Sequence, residues 1–127
     1  MMMKFNMPDG LSEETKKFIT DVIRELNKRE IIESIDHGAM RMLATSYEMY
    51  VRASNILIKE GPVIVIDYSK VVNPAQTVAT KSYAQVIKIM TEYGLTVRSR
   101  SHIKEMNAGN SDTPLDSFFK RRDIEMR

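Results

Sequence analysis

The sequence predicts a mostly α-helical protein: a long antiparallel helix pair, a short β-hairpin or extended loop between its two members, and a short C-terminal helix. Three observations carry this. Apolar residues recur at three- and four-residue spacing through the long segments. Helix-start and helix-stop residues bracket those segments. One β-branched run at 63–67, echoed by Val71-Val72, breaks the helical period between them.

The first helix is expected over 12–28. Pro8-Asp9-Gly10 is a turn signal, Ser12 is a candidate N-cap, and Glu13 and Glu14 suit the positive end of the helix dipole. Phe18, Ile19, Val22, Ile23 and Leu26 then fall at helical spacing. The residues before this helix are expected to be loose. After an apolar connection at 31–35, Ser34 or Asp36 can cap a second helix. It ends at Glu60, because Gly61 and Pro62 are the residues that stop helices. Gly38 weakens its beginning by about 1 kcal/mol, so a start after that residue is expected as the alternative.

This second helix is unusual in length and pattern. About 25 residues at ~1.5 Å each make it almost 40 Å long, and a domain of this size has a radius of gyration near ~14 Å. Met40, Leu43, Tyr47, Tyr50 and Leu57 mark one face, while Met42, Met49, Ala53 and Ile56 mark another. A helix apolar on several sides must be covered on several sides. Neighbouring copies of the chain are the expected cover, with Met40, Met42, Tyr47, Met49, Tyr50 and Ile56 as the intersubunit residues.

The polar Asp67-Tyr68-Ser69-Lys70 stretch separates the β-branched runs. Asn73-Pro74 opens the third long helix, whose apolar face is Val78, Ala79, Tyr83, Val86, Ile87, Met90 and Tyr93, and Gly94 stops it. Thr96 caps a short helix over 97–106. A polar loop leads to Leu115, Phe118 and Phe119, set beside Arg121 and Arg122. That tail docks on the protein's own core or binds a partner; the sequence leaves both open. The chain of 127 residues is read as one domain over 1–127. Within it, 1–33 is an N-terminal helical segment, 34–106 an oligomerisation core and 107–127 a flexible tail.

Several function classes are excluded by composition. With no Cys, disulfides, thiolate metal sites and Cys nucleophiles are absent. No apolar run approaches the ~20 residues needed to cross a membrane, and no signal-peptide core follows Lys4, so a cytoplasmic protein is expected. The two His residues, His37 and His102, have no partners that form a catalytic constellation. Asp36 and His37 are adjacent and point in different directions on a helix. No Walker loop, His-Glu-x-x-His motif or nucleophile elbow occurs. A non-enzyme without cofactor or metal is expected, and the ten Met residues are core filler.

A net charge of +2 is too balanced to announce nucleic-acid binding by itself. Basic residues do cluster locally. Lys16, Lys17, Arg24, Lys28 and Arg29 lie on the first helix among Glu13, Glu14, Asp21 and Glu25; Arg98, Arg100 and Lys104 occur with His102 and no acid between them. A mixed charged face is ordinarily a solvated one.

Three stretches carry a resemblance to a known family. The first is Ser46-Tyr47-Glu48-Met49-Tyr50-Val51-Arg52-Ala53, leading through Ile58-Lys59-Glu60-Gly61-Pro62-Val63. The second is Asn73-Pro74-Ala75. The third is Glu92-Tyr93-Gly94-Leu95-Thr96, continuing to Ser99-Arg100. In order and spacing they resemble the small terminase subunits of long-tailed, cohesive-end bacteriophages, and Leu11-Ser12, Asp36 and Pro114-Leu115-Asp116 with Phe118-Phe119 extend the likeness over nearly the whole chain. One departure is Val97, where the family carries Pro after Gly-Leu-Thr.

The resemblance implies a subunit that recognises the packaging site on double-stranded viral DNA, assembles into a homo-oligomeric ring and recruits a large ATPase and nuclease subunit. It places DNA contacts on the first helix, at Lys16, Lys17, Arg24, Lys28 and Arg29, with Arg98, Arg100 and Lys104 as the second candidate set. Arg100 is expected to be structural, holding the short helix against its neighbours. The tail residues Leu115, Phe118, Phe119, Arg121 and Arg122 are candidates for partner binding. Two other readings fit the sequence: a helix-turn-helix-like phage transcription regulator built on 12–44, and a helical adaptor without DNA affinity. The regulator's reading helix is rich in Met and Leu and poor in side chains that read bases.

Overall fold

The computed structural model describes residues 2–109. The chain forms two compact units, Met1–Tyr93 and Gly94–Arg127. The expected tail residues Leu115, Phe118, Phe119, Arg121 and Arg122 lie outside the described residues. In order, the first unit contains helix α1 (Glu13–Lys28), a 3₁₀ turn (Ser34–Asp36), helix α2 (His37–Glu60), strands β1 (Val63–Ile66) and β2 (Ser69–Val72), and helix α3 (Ala75–Glu92). Helix α4 (Val97–Gly109) lies in the second. The protein is mostly helical with one two-stranded antiparallel hairpin between its long helices, as the sequence predicts.

Helix α1 starts where Ser12 caps it: the Ser12 side chain accepts from the Thr15 amide. Its buried residues, Thr15, Ile19, Val22 and Leu26, form one stripe at the spacing of an amphipathic helix. The segment before α1 is not loose. Met3 donates from its amide to the Asn27 side chain at 2.9 Å and accepts from it at 3.2 Å, and Phe5 packs on the His37 ring with centroids 4.9 Å apart. Asn27 offers both a donor and an acceptor, so one side chain clips an extended backbone.

Helix α2 begins at His37, so Gly38 sits in its first turn. Asp36 occupies the cap position without a side-chain capping bond to α2. Its carboxylate accepts instead from the Glu33 amide at 2.9 Å and from the Tyr93 hydroxyl at 2.6 Å, which ties the start of α2 to the end of α3. The two bonds hold Asp36 below the ordinary carboxylate range, the Tyr93 bond contributing most. Burial, and then this same bond, push the Tyr93 phenol up to about 12. Gly61 ends α2 at φ 85, a left-handed conformation that glycine takes without a Cβ penalty.

Part of α2's many-sided apolar character is answered inside the chain. Met40, Leu43, Ala44, Val51 and Ala53 are buried between α1 on one side and α3 on the other. A series of rings crosses all three helices: Phe18 stacks on Tyr47 at 4.1 Å, Tyr47 meets Tyr50 at 6.5 Å, and Tyr50 meets Tyr83 at 6.1 Å. Ser46 donates to Gln85 at 3.0 Å across the α2–α3 seam.

The hairpin pairs Val63 with Val72, Ile64 with Val71, Val65 with Lys70, and Ile66 with Ser69. Its two-residue turn, Asp67-Tyr68, has φ 51 and φ 67, the pattern of the type I′ turn whose twist matches that of paired strands. Asn73 closes the base. Its amide donates to the Pro62 carbonyl, and its side chain donates to the Gly61 carbonyl and accepts from the Ala75 amide, starting α3. In the second unit Thr96 caps α4 by accepting from the Ser99 amide at 3.1 Å. The helix runs to Gly109, past the 106 that the sequence suggests.

Candidate nucleic-acid and assembly surfaces

Helical geometry sorts the α1 cations. At about 100° per residue, Lys17, Arg24 and Lys28 fall within about 40° of one another and on the side opposite the buried stripe. All three are exposed. Arg24 pairs with Asp21 at 3.1 Å, while Lys17 and Lys28 form no ion pair among the described residues. Lys16 is turned aside and reaches Glu13 at 3.4 Å, and Arg29 pairs with Glu25 at 3.0 Å with its side chain largely covered. Such exposed pairs contribute about 0–1 kcal/mol. Three cations, interrupted by Asp21 and Glu13, therefore make up the outward face of α1.

Arg98, Arg100 and Lys104 are exposed on α4. Arg100 donates to the carbonyl of Thr96, the residue that caps its helix, at 3.4 Å, so its described bond supports the first turn of α4 and reaches no other helix.

What fixes the α1 face in space is a residue the sequence reading passed over. Glu48 of α2 is only 3% exposed. Its carboxylate accepts from the Ser12 amide at 3.0 Å, the Ser12 hydroxyl at 2.8 Å, the Thr15 hydroxyl, and Arg52 at 3.2 Å. Arg52 also donates to the Gly10 carbonyl at 2.8 Å. Burial opposes the charged form, but the hydrogen bonds from Thr15, Ser12 and Arg52 outweigh it and hold Glu48 below its usual value. This anion also sits at the positive end of the α1 dipole. The start of α1 is thus clamped to the middle of α2. The signal in the sequence is that α2 carries only two acids and one of them, Glu48, stands in an apolar stretch.

The expected intersubunit residues divide. Met40 has no exposed surface and belongs to the protein's own core, so it is removed from that set. Tyr47 and Tyr50 are half-buried, with their rings engaged within the chain. Met42, Met49 and Ile56 remain open, at 59%, 37% and 44% exposure. The structure adds exposed apolar residues that were not in the expected set: Ile58 on the opposite side of α2, Val78 and Tyr83 on α3, and almost the whole hairpin.

Among the described residues no group of His, Cys, Asp and Glu is arranged to hold a metal ion, and no helix is long and apolar enough to cross a membrane. Helix α1, with its mixed charges, is thus clamped to α2, and the helix pair and hairpin leave apolar surface uncovered. Residues 16–110 match the family described as phage terminase, small subunit. The match runs from the first turn of α1 to just past the end of α4, well over half of the chain, and the chain belongs to this family. No curated protein and no solved structure matches it.

Proposed function

We propose that this small terminase subunit, of the cohesive-end, long-tailed phage type that its Glu60-Gly61 and Asn73-Pro74 motifs resemble, starts genome packaging without chemistry of its own. It binds double-stranded viral DNA, assembles with copies of itself into a ring, and delivers the DNA to the large subunit that holds the ATPase and nuclease. The family match carries the reading. Two surface features support its parts.

Assembly is supported by the uncovered apolar stripe of Met42, Met49 and Ile56, which fall within about 40° of one another on α2, and by the exposed apolar hairpin. Exposed apolar surface of this extent marks an interaction site. DNA binding is supported by Lys17, Arg24 and Lys28 on the outward face of α1, with Arg98, Arg100 and Lys104 as a second set. A near-neutral copy is compatible with this role, because weak contacts repeated around a ring act together. The tail residues Leu115, Phe118, Phe119, Arg121 and Arg122 are proposed to reach the large subunit.

Native mass spectrometry of the purified chain tests assembly, and gel shift with packaging-site DNA tests binding. A closed multi-copy species that retards DNA is expected. A monomer at tens of micromolar, or no shift at low salt, would remove the corresponding half of the proposal.

A further inference from the structure

The hairpin holds more information than its exposed apolar side chains. In an antiparallel pair, residues alternate between those that bond to the partner strand and those whose backbone groups point away from it. The alternation is fixed here from both ends. Ile66 and Ser69 flank a two-residue turn and are therefore a bonded pair. At the base, the Asn73 amide donates to the Pro62 carbonyl. Bonded pairs thus fall at 62/73, 64/71 and 66/69. Val63 and Val65 of β1, and Lys70 and Val72 of β2, turn their N–H and C=O groups outward.

Those outward groups have no partner strand, since the sheet contains β1 and β2 alone among the described residues. Open edges of this kind are normally blunted by charge, Pro or a bulge. The β1 edge has none of these: it presents Val63 and Val65, at 52% and 66% exposure. The β2 edge carries Lys70. A lone two-stranded hairpin is also marginal in water, and this one packs mainly on itself.

We infer that β1–β2 is a strand-pairing element that joins copies of this chain, the β2 edge of one copy adding antiparallel to the β1 edge of the next. This deepens the assembly reading above and rests on it. The occupant follows from the chemistry of the edges. A row of alternating backbone donors and acceptors is complemented by another strand edge, and each copy supplies two unlike edges. Joining unlike edges is a head-to-tail contact, which closes into a ring when the rotation allows. Charge agrees. The hairpin's two charged residues are Asp67 and Lys70. Pairing in the register of the chain's own ladder sets Lys70 opposite the neighbour's β1 residue Val65, two residues from the neighbour's Asp67, within reach of a diagonal cross-strand pair.

The test uses the full chain. Val65→Pro removes an outward amide and no bond of the chain's own ladder, whereas Ile64→Pro breaks that ladder and serves as the comparison. In native mass spectrometry over a dilution series, Val65→Pro is expected to raise the concentration for half-assembly at least tenfold while helical circular dichroism is retained. Hydrogen exchange on the unaltered protein supplies the second measurement: the Val63 and Val65 amides should become protected at least tenfold on assembly. An unaltered protein that assembles while those amides exchange as fast as in the separated copy, or a Val65→Pro chain that assembles like the original, overturns strand pairing and leaves assembly standing. A chain that never assembles overturns both.

Discussion

Glu48 shows how much one side chain can settle. It accepts from Ser12, Thr15 and Arg52 while almost completely removed from water. Truncating a buried acceptor strands its donors, so Glu48→Ala should lower stability by about 2–4 kcal/mol, measured as a shift in the urea midpoint. Glu48→Gln keeps an acceptor and should lose less. The pH dependence follows from the direction of the shift. The folded-state value lies below the ordinary 4.5, so the contribution is fully present above about 4.5 and is lost as pH falls through the folded value. Lowering the pH below 4.5 should therefore destabilise the original chain more than Glu48→Gln, and equal acid sensitivity would deny Glu48 this part. The residue was hard to read in advance because its role depends on where α1 crosses α2. Helical spacing describes each helix alone and says nothing about the crossing.

At the scale of elements, helix ends and types were legible and the use of faces was less so. Ser12, Gly61, Asn73, Gly94 and Thr96 stop or start elements where local chemistry says they should, because caps and turns depend on neighbouring residues only. Asp36 differs because its carboxylate is drawn to Tyr93, fifty-seven positions away. Met40 and Met42 lie on different faces of α2, and spacing separates them, but it does not say which face the chain's own helices cover: Met40 is in the core and Met42 is open. The hairpin turn carries two non-glycine residues at positive φ. Tyr68 takes φ 67 while fully exposed, a conformation costing a bulky residue about 1 kcal/mol that glycine avoids. Tyr68→Gly should stabilise the turn by about that amount, slowing exchange of the Ile66 and Ser69 amides roughly fivefold in the separated copy. Faster exchange in that variant would mean the Tyr ring, not the backbone, holds the turn.

For the whole molecule, net charge is a poor guide to the local arrangement of charge. A formal +2 spread over 127 residues does not say how charge is arranged: the fold sets Lys17, Arg24 and Lys28, interrupted by Glu13 and Asp21, on one exposed face of α1 and buries Glu48 beneath the start of the same helix. The consequence is testable through salt. Each phosphate contact steepens the fall of log K with log salt concentration by about 0.9. Replacing Lys17, Arg24 and Lys28 with Ala should therefore flatten the slope by up to about 3 for each copy that touches DNA, with helical content unchanged because none of the three is buried. Asp21→Asn should act the other way. It removes the partner of Arg24 and one repelling charge from that face, so affinity should rise and the slope steepen. The two variants move in opposite directions only if the outward face of α1 meets the phosphates. If both leave the slope unchanged while Ala at Arg98, Arg100 and Lys104 flattens it, the DNA surface belongs to α4, and the Glu48 clamp positions α1 for a task other than DNA.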